Sequence, residues 1–262
     1  RLSPMPRAHL LALTTPLIVS AAQPAESIGW YLITDDAGAV LGHATRESVA
    51  RTDGREVIDT RTLFLTEADQ RASRITERTV TRLDTAGRPV TITSIAQHGR
   101  TTTRTETRIT AQAATVTRQT ARDRHVQHVP LPPGTRLDNG EGLLAGWDRK
   151  APLDFANFNP ATMTVERTTI EPAPIQRPGG ITILRKRHED GQLRGIVRLD
   201  LDARGQVMAV IQPMFGTAVV TRPTDRETAL RDHPPYRVLR SVMRKSPVRI
   251  PPGAVNGQIR YR

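Results

Sequence analysis

The chain has 262 residues, a formal net charge of +12 and no cysteine. Its length allows either one large β domain or two smaller domains that each bury a core. The lack of cysteine excludes disulfides, thiolate metal sites, a cysteine nucleophile and a lipid-modified cysteine. Because only 3% of the residues are aromatic, the core must be built mainly from aliphatic side chains.

The basic residues are almost all arginines, since only Lys150, Lys186 and Lys245 are lysines. The abundance of threonine and other β-branched residues favours strands. The isoelectric point near 11.3 permits attraction to phosphates or anionic lipid head groups. However, the arginines are scattered, and few aromatics lie among them to stack bases, so the composition argues against a nucleic-acid partner.

Residues 1–25 have the three-part pattern of a signal peptide. A short basic region at 5–9 precedes a mostly apolar run at 10–19, and small residues follow at 20–25. The run is too short to span a bilayer comfortably, and no later run is long enough to do so. We expect export to the periplasm of a Gram-negative-type bacterium, or secretion, after cleavage near residue 25. The alternative is a buried or interfacial N-terminal helix.

Three segments share the turn pattern Asp-x-x-Gly, at residues 35–38, 84–87 and 202–205. Aspartate at the first position accepts a hydrogen bond from the backbone of the turn, and glycine at the fourth adopts the positive φ that closes a hairpin. The pattern therefore predicts three hairpins.

Polar and apolar residues alternate between these turns, as in 101–109 and 195–202. This period of two predicts antiparallel strands with one face in water. Both faces of 206–212 are apolar, which predicts a strand in the middle of the sheet.

The middle of the chain lacks this regularity. Residues 129–134 predict a stiff proline-rich loop, 153–160 a connector, and 172–180 a second proline-rich crossing. Strand patterning resumes between the last two, at 162–171. We interpret this part as a long crossover within one curved sheet; the alternative is a boundary between two domains near 130–150.

Thr224 and Glu227 have the spacing of a capping box, which predicts a short helix over 228–231. Residues 234–262 read as an extended linker that ends in strand-like alternation, so we expect a further domain downstream. The predicted fold is mainly β: a strongly curved antiparallel sheet, or incomplete β-barrel, with one short helix and long proline-rich loops.

Two pairs of residues are weak candidates for chemistry. His125 and His128 have a metal-ligand spacing, but residues three apart on a strand face opposite sides. Asp200 and Asp202 share a strand face and could hold calcium or act as acid and base, but Asp202 also begins a turn. We favour surface histidines and a turn aspartate.

The remaining candidates have no diagnostic context. No serine stands in a Gly-x-Ser-x-Gly elbow, and no glycine-rich phosphate loop is present. The sequence thus assigns no catalytic, cofactor-binding or metal-binding residue, and leaves the ligand-binding residues unknown. The residues considered were His98, His233, Ser48, Ser73 and Ser94. The aromatic residues expected in the core rather than in a ligand platform are Trp30, Trp147, Phe155, Phe158 and Phe215.

An ordered set of patterns resembles a known family. The patterns lie at residues 199–207, 212–216, 222–229 and 246–251, with a matching opening at 29–42. Together they resemble the β-rich region that precedes the catalytic core in secreted bacterial transglutaminase-like proteins.

The resemblance implies that residues 26–233 form a non-catalytic accessory or substrate-presenting domain. Residues 234–262 would then lead to a catalytic domain of the same polypeptide. In that family a cysteine, a histidine and an aspartate act together on an amide. Because this chain has no cysteine, no nucleophile can be carried over, and we expect no such activity from this chain alone.

The predicted half-barrel also resembles periplasmic lipoprotein carriers, which hold acyl chains in a concave face. The alternative function is therefore a periplasmic carrier that binds a lipid or another apolar ligand.

Overall fold

The computed structural model describes residues 26–66, 71–137, 147–148, 150–176, 179–203, 205–214 and 217–237. The predicted signal peptide and the patterns beyond residue 237 lie outside these residues. The elements are β1 (Glu26–Asp35), β2 (Val40–Arg51), β3 (Gly54–Thr66), β4 (Ala72–Leu83), β5 (Pro89–His98), β6 (Thr101–Ile109), β7 (Ala113–Gln119), β8 (Arg124–Pro130), β9 (Arg136–Leu137), β10 (Leu153–Asn159), β11 (Thr164–Pro172), β12 (Gly180–Glu189), β13 (Gln192–Asp202), β14 (Val207–Met214), β15 (Thr217–Thr224), α1 (Arg226–Leu230) and β16 (Tyr236–Arg237).

The described strands form one large sheet in the order β8-β7-β6-β5-β4-β3-β2-β1-β15-β14-β13-β12-β11-β10-β9. Neighbours along this path pair antiparallel, except for the short parallel pair β9–β10. The first strand lies in the middle of the sheet because β1 pairs with β15. The predicted fold class, a strongly curved antiparallel sheet with one short helix, is confirmed. Residues 131–135 connect β8 to β9, the strands at the two ends of this order.

The three Asp-x-x-Gly turns are confirmed. Asp35 accepts a hydrogen bond from the backbone N–H of Ala39 at 2.7 Å, and Gly38 has a φ of +86°. Asp84 and Asp202 accept equivalent bonds from the residues four positions on, at 2.8 Å each. Asp202 therefore has the turn role that was favoured for it. These turns fix the registers of the hairpins that they close.

Residues 153–160 are wrongly predicted as a connector, because residues 153–159 form strand β10. The alternation is hidden because each face of this strand mixes polar residues with one phenylalanine, Phe155 on one face and Phe158 on the other. Residues 172–180 do not cross the sheet either: they connect β11 to its neighbour β12.

The predicted short helix is present as α1, but its cap differs by one residue. Asp225, not Thr224, is the N-cap, and its Oδ1 accepts a hydrogen bond from the backbone N–H of Thr228 at 2.8 Å. The negative charge of the aspartate at this position also interacts favourably with the positive end of the helix dipole. In the described part of the chain, no helix has the length and apolar character needed to cross a membrane.

The two ends of the sheet overlap. We call the face that carries Tyr31 and Ile33 the inner face; the strand registers place Val116 on this face and Phe158 on the opposite, outer face. Nevertheless, both belong to one buried cluster. The inner face of β7–β8 therefore covers the outer face of β10–β11. The other members of this cluster are Ala114, Val129, Leu131 and Met163.

Two hydrogen bonds fasten the overlap. The guanidinium of Arg118 donates to the backbone carbonyl of Ala161 at 2.6 Å, and the amide of Gln127 donates to that of Met163 at 3.4 Å. The sheet is thus rolled without main-chain pairing between β8 and β10, which leaves the barrel incomplete.

The short strand β16 pairs in parallel with the end of β3. Tyr236 is buried in the core cluster that contains Tyr31, and its hydroxyl donates to Asp35 at 3.1 Å. The packed sheet therefore extends beyond residue 233. The division of the chain into an accessory domain and a linker stays a prediction.

We predict that Phe158→Ala destabilises the protein by about 3–5 kcal/mol, because it removes a fully buried ring from the overlap. Urea unfolding followed by circular dichroism measures this loss. Phe155→Ala, at the half-buried ring on the opposite face of the same strand, is the matched control and should cost less. Equal losses for the two variants would show that the overlap makes no special contribution.

Candidate functional site

The inner face carries a band of polar side chains that crosses the sheet. Strand registers align one residue from each of seven strands in a row perpendicular to the strands. The row consists of Gly29, Arg46, Asp59, Thr79, Ser94, Thr105 and Arg118. The neighbouring row, two residues along each strand, adds Tyr31, Ala44, Arg61, Glu77, Ala96 and Thr103.

The centre of the band is an ion pair between Arg46 and Asp59. Arg46 Nε and Nη2 donate to the two carboxylate oxygens at 2.7 and 2.8 Å, and Arg46 is fully buried. This bidentate geometry is the strongest way for a carboxylate to hold a guanidinium. Because each charge is costly to bury alone, the pair holds both side chains in place on the inner face.

Tyr31 lies beside this pair and folds back over Gly29. A Cβ at Gly29 would lie 2.9 Å from the Tyr31 hydroxyl, so glycine leaves the space that the ring occupies. Burial raises the pKa of Tyr31; Asp59 also raises it, whereas Arg46 lowers it. Near neutral pH the phenol is therefore protonated and can donate a hydrogen bond within the band.

Glu77 is the second acidic group of the band. Ser94 Oγ donates to its carboxylate at 3.4 Å and lies 2.7 Å from the hydroxyl of Thr79. Burial raises the pKa of Glu77 and Asp59 adds to this, whereas Arg61 and the bond from Ser94 lower it. The cluster can exchange a proton and offers hydroxyl donors and acceptors on the concave side.

A second polar group lies on the inner face of β10–β12. Glu166 accepts hydrogen bonds from Asn159 Nδ2 at 3.0 Å and from Thr162 Oγ1 at 3.2 Å. Arg187 Nη1 lies 3.9 Å from its other carboxylate oxygen. Polar side chains therefore line both halves of the rolled sheet.

Apolar clusters border the polar band on the same face. One cluster contains Tyr31, Ile33 and Leu63, and the other contains Ile183 and Leu199. The concave face is thus divided into zones, apolar at the clusters and polar at the band.

Among the described residues, four hydroxyl or amide oxygens on the inner face are buried and have no hydrogen-bond partner. A buried hydroxyl or amide without a partner costs about 1–3 kcal/mol. Because these oxygens have almost no exposed surface, a molecule on the inner face reaches them only after neighbouring side chains move. The atoms are Ser48 Oγ, Thr107 Oγ1, Asn157 Oδ1 and Thr168 Oγ1.

The structure does not bring the histidine candidates together. His125 and His128 lie on opposite faces of β8, and His128 Nδ1 is 3.0 Å from the hydroxyl of Thr115. Within the described ranges, no group of three or more potential metal ligands is found. His98 lies at the end of β5, and His233 precedes β16, which pairs with β3, two strands from β5.

The other candidates are dispersed. Asp200 lies on the outer face, where it is buried and accepts hydrogen bonds from Thr182 and Arg198 at 3.0 and 2.9 Å. Of the serines, Ser94 belongs to the Glu77 cluster and Ser48 is one of the buried hydroxyls. Ser73 pairs with Leu65 at the end of β4.

The aromatic candidates are mostly packed. Phe158 is in the core, and Trp147 and Phe155 pack at the edge of an apolar cluster. Trp30 is half-buried, with the Arg226 guanidinium 6.0 Å from its ring centre. Phe215 lies outside the described residues.

Sequence reasoning missed the central residues Arg46, Asp59 and Glu77. They lie in ordinary alternating strands, and only the register shows that they are neighbours. One signal was available in the sequence. Each of these charged residues lies two positions along its strand from an aliphatic residue that is expected to be buried, so its side chain is on the face that points toward the core.

Comparisons with known proteins show similarity of fold. No protein-family model matches this chain, and no curated protein matches it. Among solved structures, it is similar to the crystal structure of a β-barrel-like protein of the domain of unknown function DUF1849 from Brucella abortus. The TM-score is 0.55 and the identity 12%, and the match covers 76% of this chain and 95% of that chain. At this identity, the similarity establishes a β-barrel-like architecture and nothing about activity.

We predict that Asp59→Asn destabilises the protein by about 3 kcal/mol, because it leaves the buried Arg46 without its carboxylate. Urea unfolding at neutral pH measures the effect. The control is Glu56→Gln, which breaks the exposed pair with Arg51 on the neighbouring strand and should cost about 1 kcal/mol or less. If both variants lost the same small amount, the inner ion pair would not organise the band.

A second prediction concerns pH. Because the folded pKa of Glu77 is raised, its contribution to stability is present below the unfolded value of about 4.3 and is lost as pH rises through the folded value. Glu77→Gln cannot ionise, so its stability relative to wild type should increase between pH 4 and pH 8. Urea unfolding at both pH values measures this difference. A difference independent of pH would contradict the assignment.

Proposed function

We propose that this protein is a non-catalytic binding protein that holds an amphiphilic ligand against the concave face of its half-barrel. The proposal rests on one observation: on the inner face, a band of charged and hydroxyl-bearing side chains is bordered by apolar clusters. A lipid-like molecule matches this arrangement, with its apolar part on the clusters and its polar group on the band.

A wholly apolar ligand fits the inner face less well. It would remove water from Glu77 and Arg61 without offering them hydrogen bonds, and an uncompensated charge is costly to desolvate. A ligand with an acidic or hydroxyl-bearing group avoids this cost, because the partly exposed Arg61 guanidinium and the hydroxyls of Thr79 and Ser94 can bond to it. We therefore expect the ligand to be an amphiphile rather than a wholly apolar molecule.

The proposal fits the expected location of the protein. If the N-terminal segment directs export, the protein works where amphiphiles pass between membranes. The fold of the Brucella protein supports the half-barrel, though not the ligand.

The substrate-presenting role that the resemblance implies is the second candidate. The partly exposed hydroxyls of Thr79, Ser94 and Thr105 can bond to the backbone of an extended peptide, and the concave face would then present that peptide to a catalytic domain. Purified full chain should incorporate no amine into a protein substrate, because it has no cysteine nucleophile.

The binding proposal is tested with dansylaminoundecanoic acid, a fluorescent fatty acid that has a carboxylate and a long apolar chain. We expect the full chain to enhance and blue-shift its emission, and lysophospholipid to displace it. Ala96→Trp places a large ring on the inner face beside Glu77 and should weaken binding at least about tenfold, since the ring occupies the ligand's space.

Gln97→Trp is the matched control, since it adds the same ring to the outer face at the next residue of β5. It should leave binding unchanged. The proposal fails if the probe does not bind, or if both tryptophan variants weaken binding equally while their circular dichroism spectra match wild type.

A further inference from the structure

The outer face of β4–β8 carries a regular array of arginines. Strand registers place Arg78, Arg104 and Arg124 in one row, on every second strand. Because adjacent strands are about 4.8 Å apart, neighbours in this row are about 10 Å apart. A second row, four residues further along the same strands, consists of Arg82, Arg108 and His128.

This part of the chain concentrates the positive charge. Residues 71–130 contain eleven arginines against four carboxylates, a net of +7, whereas the other 202 residues together carry +5. Among the described residues of β4–β8, Glu106 is the one carboxylate on the outer face. It lies 3.2 Å from Arg108 and 3.8 Å from Arg104. Arg82 also pairs with Asp53, which precedes β3. A positive excess remains after these pairings.

Two exposed apolar side chains lie within the array. Ile95 is 37% exposed and stands between Arg78 and Arg104 in the first row, and Val126 is 46% exposed on β8. Surfaces that combine arginines with exposed aliphatic groups suit the interface of an anionic membrane. The guanidinium groups bind lipid phosphates, and the aliphatic groups enter the boundary with the acyl chains.

The same array suits nucleic acid less well. Residues 71–130 contain no Phe, Trp or Tyr on which bases could stack. Binding to a phosphate backbone alone would also make no use of Ile95 and Val126. We propose that the outer face of β4–β8 docks the protein on the surface of a membrane that contains anionic lipids. This face is opposite to the concave face, so a docked protein would keep its proposed binding site turned away from the bilayer.

The test is sedimentation of the full chain with vesicles of phosphatidylcholine, with and without about 30 mol% phosphatidylglycerol, at low and high salt. We expect binding only to the anionic vesicles, and release at high salt. The triple variant R78Q/R104Q/R124Q should bind at least about tenfold more weakly, since it removes three charges from the array.

The charge-matched control is R194Q/R222Q/R231Q, which removes three exposed arginines outside β4–β8 and should bind like wild type. The apolar N-terminal segment is the same in all variants, so it cannot cause a difference between them. Glu106→Gln removes the opposing carboxylate and should tighten binding about fivefold. A circular dichroism spectrum that matches wild type shows that the gain does not come from misfolding.

Three results would overturn the proposal: no binding to anionic vesicles, an equal loss in both triple variants, or unchanged binding by Glu106→Gln. A fourth is tighter binding to short duplex DNA than to the vesicles at the same salt, with the same dependence on Arg78, Arg104 and Arg124. That result would assign the face to nucleic acid. None of these results bears on the fatty-acid probe, whose site is on the opposite face.

Discussion

The packing of β7–β8 over the outer face of β10–β11 is the contact on which the rest of the structure depends. A twisted sheet of this many strands must curl or split, and here its two ends overlap. Phe158 supplies the apolar contact, and Arg118 and Gln127 satisfy the carbonyls of the β10–β11 turn. Without this overlap the inner face would be one open side of a sheet in contact with water. Nothing would then bury Arg46 or Glu77.

The alternation of side chains along β4–β8 gives the protein two chemically different faces. Glu77 points inward and Arg78 outward, and the same holds at Thr105 and Arg104. The charged groups of the inner face are partly or fully buried, so they interact strongly with groups in direct contact with them. The outer groups stand in water, where they act together as a field that salt screens. A single strand pattern thus produces both the proposed binding face and the proposed docking face.

The local features of the fold could be predicted from the sequence because they depend on neighbouring residues. The Asp-x-x-Gly turns and the strand at 101–109 follow from turn chemistry and alternation, which act over a few positions. Strand β10 was missed because each of its faces carries one phenylalanine, Phe155 or Phe158, among polar residues, and that hides the period of two. Phe158 is buried on the outer face because β7–β8 covers it. A contact between segments some forty residues apart leaves no local signal in the sequence. The Arg46–Asp59 pair was missed for a related reason, since the twelve residues between them hide a direct cross-strand contact.

The most direct test of this account is a nuclear Overhauser measurement on methyl-labelled protein with a protonated Phe158 ring. The account predicts contacts from this ring to methyl groups of the β7–β8 side of the cluster, namely Ala114, Val116, Val129 or Leu131. These would show that the two ends of the sheet overlap in solution. Contacts from the ring only to Leu137 and Val165, on the strands that flank β10, would contradict the account, because the sheet would then be open and have no enclosed concave face.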